Sequence, residues 1–510
     1  MPPERHNIFL VFTTLIIVML LASLSQMVLS TALPTIAGEL SSVELMPWVI
    51  TAYMLASTVM MPIYGKISDL LGRKPVLLAA ILVFIIGSVL GGLAPDMITL
   101  IIARVVMGLG GGGLIILSQA AIADVVPARD RGKYMGIMGA AFAFSSVAGP
   151  LLGGWITEGP GWRWTFWMNV PLGLIALIAT ATLLRLPAFA RTVKPKIDYA
   201  GMALLTVATT AVVLMGTWGG SVYGWTSAEI IGLAAITVVA GILFVLVERR
   251  AAEPIMPMYM FRERNFILTT IGSLFVAVAM FGVVGYMPTY FQMAVGATAT
   301  AAGLLMIPML GPMLVTSIAT GIMVSRSGKY RMLPIAGALI LAAGMALLAT
   351  ITPDTPLVFI SIYLALMGIG LGANMQILTL IVQNSFPHHL VGTATAGNNF
   401  FRQVGSSLGA GVVGSVFTVR LTSLLIERLP AGQGPADGAS SLTPALVHSL
   451  PENIRTVVVG SYNDALIPIF MYMVPLAVIT AILLWFVEEK ELSNVVEEKP
   501  VTSPEPVRAD

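Results

Sequence analysis

Fourteen apolar runs recur along this chain, centred near residues 20, 56, 84, 110, 145, 175, 207, 239, 279, 312, 341, 370, 406 and 477. In hydrocarbon, a backbone has to satisfy every N–H and C=O internally, and a helix of about 20 residues does so while crossing the bilayer. Repeated along a whole chain, that constraint leaves an all-α membrane protein with 14 transmembrane helices. Composition agrees: 57% of the 510 residues are hydrophobic and 10% are charged, where soluble domains carry about 25% charge. Glycine and proline inside the runs, as at Gly110 to Gly113 and at Pro308 and Pro312, are tolerated in membrane helices. The first run, Ile8 to Leu24, follows one basic residue, Arg5, and reaches no small-residue cleavage site before Ser25 and Gln26. It reads as a retained span, since a signal peptide has a shorter apolar core and a cleavage motif.

An even number of spans puts both termini on one side, and Lys and Arg decide which side. With the N-terminus inside, the inner loops hold Lys66, Arg73, Lys74, Arg129, Arg131, Lys133, Arg185, Arg191, Lys194 and Lys196, then Arg249, Arg250, Arg262, Arg264, Arg326, Lys329 and Arg331; the short outer loops hold only Arg163. Both termini are therefore expected in the cytoplasm and the chain in the cell membrane. Residues 421–466 read as a long outer loop before the last span, and the acidic, proline-containing residues 491–510 as a disordered cytoplasmic tail.

Other functions find little support. A net charge of +2 offers no footing for nucleic acid. The lack of cysteine removes disulfides, thiolate nucleophiles and cysteine-ligated metals together. There is no G-x-S-x-G, H-E-x-x-H or Walker-type loop, and the glycines from Gly108 to Gly113 lie within an apolar run. Neither an enzyme nor a cofactor or metal is expected.

The loop Gly65-Lys66-Ile67-Ser68-Asp69-Leu70-Leu71-Gly72-Arg73-Lys74 packs two glycines and several charges between the second and third runs. Its G-x-x-x-D-x-x-G-R-K spacing resembles the loop between helices 2 and 3 of major facilitator superfamily transporters. Arg104 with Gly108 and Gly110 resembles a second motif of that family, and Gly149-Pro150-Leu151-Leu152-Gly153-Gly154 its antiporter-associated motif. Trp162-Arg163-Trp164, Asn169-Val170-Pro171-Leu172-Gly173, Tyr286 to Gln292 and Phe400-Phe401-Arg402-Gln403 are similar to the fourteen-helix drug:proton antiporter branch, the EmrB/QacA-like proteins. The resemblance implies two six-helix bundles, residues 1–190 and 262–490, separated by a two-helix insert at 191–261, and export of small amphipathic compounds by alternating access, with protons as counter-ion. A monomer in the lipid bilayer is expected. A faint echo of the loop, Gly321, Ser325, Arg326, Gly328 and Lys329, suggests an internal repeat built around a midplane site.

One departure stands out. The branch carries a carboxylate in span 1, whereas here that position is Ser25, ahead of Ala32-Leu33-Pro34. Every acidic residue falls in a loop, at a span end or in a tail, with Asp124 and Glu229 nearest the membrane. Arg104 and Arg402 do lie inside spans, and an intramembrane ionisable group is a functional candidate by default. Both are candidates for coupling; Arg104 also reads as a structural tie to backbone carbonyls, and Arg402 as a snorkelling side chain.

The loop itself has a physical role as a gate formed by Gly65, Asp69, Gly72, Arg73, Lys74, Asp124 and Arg131. A carboxylate at Asp69 can cap the positive end of a helix from the other half near Gly392-Thr393-Ala394, while Arg73 pairs with Asp124; the plainer alternative is a surface ion pair worth about 0–1 kcal/mol. Gly149, Gly153 and Gly154 serve close helix packing, and Pro150 bends its helix. The substrate cavity is expected among Ser25, Gln26, Tyr53, Tyr286, Tyr290, Gln292, Asn374, Gln376, Asn398 and Asn399, any of which reads equally as an interhelical hydrogen bond. His388 and His389, after Pro387, read as solvated loop residues. Two alternatives stay open: an exporter of lipid-like or anionic metabolites without conventional proton coupling, and a non-transporting membrane sensor on the same fold.

Overall fold

The computed structural model describes residues 5–40, 42–184, 186, 196–220, 222–429 and 444–493. Its α-helices are α1 (Arg5–Glu39), α2 (Met46–Leu71), α3 (Arg73–Gly92), α4 (Met97–Val125), α5 (Ala128–Glu158), α6 (Trp164–Trp167), α7 (Asn169–Leu183), α8 (Tyr199–Trp218) and α9 (Ala228–Glu248). The second half supplies α10 (Arg264–Val284), α11 (Met287–Ala294), α12 (Ala299–Leu304), α13 (Ile307–Ser327), α14 (Met332–Leu348), α15 (Leu357–Ser385), α16 (Val391–Arg428), α17 (Pro444–Ser449) and α18 (Glu452–Trp485). Among the described residues, thirteen helical stretches are long and apolar enough to cross a membrane, and α14 is a shorter apolar helix beside them. Among the described residues there is no sheet, only one isolated bridge between Gly219 and Tyr223.

Local chemistry sets the helix ends. Asp96 caps α4, its carboxylate accepting the Thr99 amide at 2.8 Å, and Ser227 caps α9 by accepting the Ile230 amide; side-chain oxygens satisfy amides that a helix start leaves orphaned. At the other end, Gly72 stops α2 with φ 92° and Gly328 stops α13 with φ 71°, a region that L side chains avoid.

The ends at which α2 passes to α3, α4 to α5, α13 to α14 and α15 to α16 lie together and, with the arginines and lysines of those turns, form a basic face. Two apolar clusters fill the interior. One draws on α1 to α7, with Leu15, Phe84, Met107 and Phe166 at its centre; the other draws on α10 to α18 and is rich in methionine, including Met280, Met309, Met345 and Met367. The methionines are packing residues there, filling irregular gaps. The hairpin α8–α9 packs against α16, where Gly216 meets Ser407 and Leu408, and against α2, where Trp48 and Trp218 stand edge-on at 5.6 Å. Most of α9 faces outward with an apolar surface.

Two boundaries differ from the sequence reading. The segment 421–466 is helical at both ends: α16 continues to Arg428 and α18 begins at Glu452, with 430–443 outside the described residues. Polar side chains at that end are paired across the two helices, with Arg428 Nη1 2.8 Å from Asp464 Oδ2 and Arg420 donating to the Asp464 carbonyl at 3.0 Å, so the helices persist beyond their apolar stretch. Likewise α1 runs on to Glu39, tied there by Trp162, whose Nε1 donates to Glu39 Oε2 at 2.7 Å. Of the expected tail, residues 494–510 lie outside the described residues.

Candidate functional site

At the basic face, Asp69 at the end of α2 reaches the start of α16. Its carboxylate accepts the Thr393 amide at 2.7 Å, the Thr393 hydroxyl at 2.8 Å and the Gly392 amide at 3.2 Å. Arg73, on the first turn of α3, lies 3.1 Å from Asp69 Oδ1 through Nη1 and donates through Nε to Asp124 Oδ2 at 2.8 Å. The side chains are 5%, 6% and 12% exposed for Asp69, Arg73 and Asp124, which decides against a solvated ion pair. Removing one partner of a buried pair costs about 3–5 kcal/mol, against about 0–1 kcal/mol at a surface.

Close approach makes this possible. A Cβ on Gly65 would strike the Ala396 Cβ and come within 2.9 Å of the Gly392 carbonyl, and a Cβ on Gly392 would strike both Arg73 and Asp69. Arg131 is buried at the end of α4, donating to the carbonyls of Ala123 at 2.9 Å and Val126 at 3.0 Å, where a cation favours the helix terminus. Lys74 is turned elsewhere, donating to the Ala181 carbonyl of α7 at 2.7 Å, and so does not join the cluster.

A second crossing, between α5 and α13, repeats this arrangement with the charge reversed. A Cβ on Gly321 would strike the Gly132 carbonyl, as Gly65 meets α16. Ser325 stands where the first loop has its aspartate, and Arg129 at the start of α5 donates to the carbonyls of Ser325 and Arg326, both at 3.2 Å. One crossing is held by an acid on a helix N-terminus, the other by a base on a helix C-terminus, and both suit the helix dipole.

Deeper in, the candidate residues separate into two groups. Ser25 is buried against α7, accepting from Asn169 Nδ2 at 3.0 Å, and Asn169 also donates to Ser88. Tyr53 lies under Arg104, whose guanidinium carbon is 4.2 Å from the ring centroid and whose Nε donates to the Val49 carbonyl at 3.0 Å; Arg104 is thereby a tie between α2 and α4. Tyr290 donates to Asn463 Oδ1 at 2.8 Å, Tyr286 to the Ala410 carbonyl at 2.9 Å, Gln292 to the Pro288 carbonyl at 3.3 Å, Asn374 to the Gly370 carbonyl at 2.8 Å, and Asn398 to Ser273 at 3.1 Å. These are bonds to their own neighbours, as polar groups in a membrane interior require. Gln26 is half-buried on α1.

Two candidates do face the other half, and Arg402 is bonded to one of them. Gln376 of α15 packs against Gly139 of α5. Asn399 donates to Gln119 Oε1 of α4 at 3.0 Å, and Arg402 donates to Asn399 Oδ1. On α5, Gly149 packs against Met27 and Gly153 against Val28 and Thr31, but a Cβ on Gly154 would meet open space, so Gly154 takes no part in close packing. Pro150 sits inside α5, which continues past it to Glu158.

Two groups differ from the sequence reading. His388 is not solvated: its side chain is 12% exposed and its Nε2 lies 3.1 Å from Asp124 Oδ1, one turn before the α16 amides that Asp69 holds, while His389 is exposed. Among the acids, Glu229 is exposed and Glu248, at the end of α9, is buried with both oxygens accepting amides, from Ile255 and Met256, each at 3.1 Å. The proline that begins the short turn at His388 was the available signal for its ordered position. Among the described residues, no group of acidic and histidine side chains is placed to hold a metal ion.

Membrane-crossing helices in two halves, meeting along crossings lined with buried charge and small residues, define a multi-pass membrane transporter. The chain belongs to the Major Facilitator Superfamily, whose model matches residues 15–410. An uncharacterized MFS-type transporter of Mycobacterium tuberculosis is 40% identical over 493 residues, 97% of this chain and 71% of that protein. The multidrug transporter protein MdtP of Bacillus subtilis is 37% identical over 420 residues, covering 82% of this chain and 77% of its own length. Among solved structures, the proton:xylose symporter XylE bound to 6-bromo-6-deoxy-D-glucose is similar with a TM-score of 0.64 at 17% identity, over 96% of this chain and 98% of that one, a likeness of fold.

Proposed function

We propose that the protein is a secondary active exporter of small amphipathic compounds, a monomer of the fourteen-helix drug:proton antiporter branch in the cell membrane, with its basic face and both termini in the cytoplasm. Its two six-helix bundles, residues about 8–190 and 262–490, rock about a central site, and the hairpin α8–α9 is an insert between them. The observation that carries this reading is the Asp69 carboxylate of the first half seated on the first amides of α16 in the second. That latch holds the cytoplasmic side shut in the outward-facing state and has to part for cargo to enter from inside. Multidrug relatives support the cargo class, and the excess of Lys and Arg on one face supports the orientation.

Proton coupling here cannot follow the branch pattern, because span 1 presents Ser25 bonded to Asn169 in place of a carboxylate. We assign it to Asp124, the acid that joins the latch to His388. The test is transport across a chemically mixed panel of amphipathic dyes in everted vesicles, with and without a pH gradient. Gradient-driven uptake that survives Ser25→Ala and is lost in Asp124→Asn is expected. Saturable binding without counterflow in proteoliposomes would instead make the protein a sensor on a transporter fold.

A further inference from the structure

In the first third of α16 sits the guanidinium of Arg402, which among the described residues has no counter-ion. At about 100° per residue, Arg402 projects between the directions of Asn398, bonded to Ser273 on α10, and Asn399, bonded to Gln119 on α4. It therefore faces the space between the two halves. Its Nη2 donates to Asn399 Oδ1, while Nη1 is buried without an acceptor. Among the described residues no acidic side chain acts on it. Acceptors around the same layer are stranded too. Gln383 uses Nε2 on Thr395 and on the Gln119 carbonyl but leaves Oε1 unpaired, and Gln376 Oε1 is unpaired against α5.

A buried cation is retained in a membrane protein when something pairs with it, and the planar fork of arginine matches the oxygens of a carboxylate, sulfate or phosphate. We propose that Arg402 receives the anionic head group of an amphipathic cargo molecule and sets a preference for anionic over cationic amphiphiles. This rests on the export reading above. Asn399 steadies one nitrogen and is itself held by Gln119 across the seam between halves, so parting α4 from α16 uncovers the guanidinium towards the cytoplasm. With the seam closed, the floor of the site is the polar layer of Gln119, Gln383 and Thr395, directly above the latch. A cation in that position would meet Arg402 with no compensating carboxylate nearby.

The experiment compares carboxyfluorescein with rhodamine 123, two xanthene dyes of opposite charge, on the wild-type chain and on Arg402→Gln and Arg402→Lys. Binding is read on purified protein in detergent, and exchange in proteoliposomes. Arg402→Gln is expected to weaken carboxyfluorescein binding by about tenfold or more, the scale of a charge-assisted hydrogen bond, and to strengthen rhodamine 123 binding by removing a like charge; Arg402→Lys, which keeps the charge and loses the fork, is expected to weaken carboxyfluorescein binding by less. Equal losses for both dyes, or undiminished carboxyfluorescein binding in Arg402→Gln, overturn the assignment. If Arg402→Gln fails to fold, as read by its melting curve, Arg402→Lys decides: wild-type affinity for carboxyfluorescein overturns it. A wild-type chain that binds the anion but does not exchange it sinks the export reading and leaves Arg402 standing, whereas dye exchange that is indifferent to Arg402 does the reverse.

Discussion

Asp69 makes three hydrogen bonds and one ion pair from a site that is almost closed to solvent, so its replacement has a defined effect. Asp69→Asn removes the negative charge that faces Arg73 and the start of α16 while keeping the side-chain shape. The loss of about 3 kcal/mol expected for a broken buried pair corresponds to roughly a hundredfold shift towards the open cytoplasmic side. Labelling of a single cysteine placed in the layer above the latch, applied from the cytoplasmic face, should rise accordingly; an unchanged labelling rate would sink the latch. Gly392→Ala attacks the same contact from the partner helix, because the added methyl occupies the place of the Arg73 and Asp69 head groups, and should open the gate to a similar degree without altering any charge. His388 adds a further contact between halves: its imidazole faces one oxygen of Asp124 while Arg73 holds the other.

Helices were the most legible elements, because an apolar run of the right length has few alternatives in a bilayer, and the crossings found follow the runs from residue 20 to residue 477. Their ends were less legible. The outer parts of α16 and α18 are polar on one side and are held by Arg420 and Arg428 against Asp464, a pairing between residues distant in sequence. The contact of Asp69 with the start of α16 was legible because its spacing is a local pattern, and the carboxylate does accept the Gly392 and Thr393 amides. The cavity was not. A helix apolar nearly all round gives no sign of which face an Asn or Tyr presents, and most of those named found a partner on an adjacent helix. At the α1–α5 crossing, Gly149 meets the backbone and Cβ of Met27; Gly149→Val should force α5 away from α1, lower the melting temperature by several degrees and reduce transport, while Gly154→Val, in open space, should leave the melting temperature alone. Similar melting curves for the two variants would refute the packing role of Gly149.

At the scale of the molecule, the chain offers a direct test of whether its halves separate. It has no cysteine, so two introduced thiols are the only ones present. A Cβ on Gly132 of α5 would stand 3.3 Å from the Cβ of Val324 on α13 and 2.8 Å from the Gly321 carbonyl, so a small easing apart of the two helices brings the pair to the spacing of a disulfide. The pair Gly132→Cys with Val324→Cys should cross-link on oxidation, stop transport, and regain it with reductant; transport that persists in the fully cross-linked protein would exclude opening at this seam. The other seam, between α2 and α16, is the one against which the α8–α9 hairpin lies, and α9 turns nearly all of its apolar surface outward. The hairpin therefore stands between the surrounding lipid and the α2–α16 seam. A change in bilayer thickness, which tilts apolar helices to match it, pulls on the hairpin and through it on the helix whose first amides Asp69 holds, making the membrane's own dimensions an input to the gate.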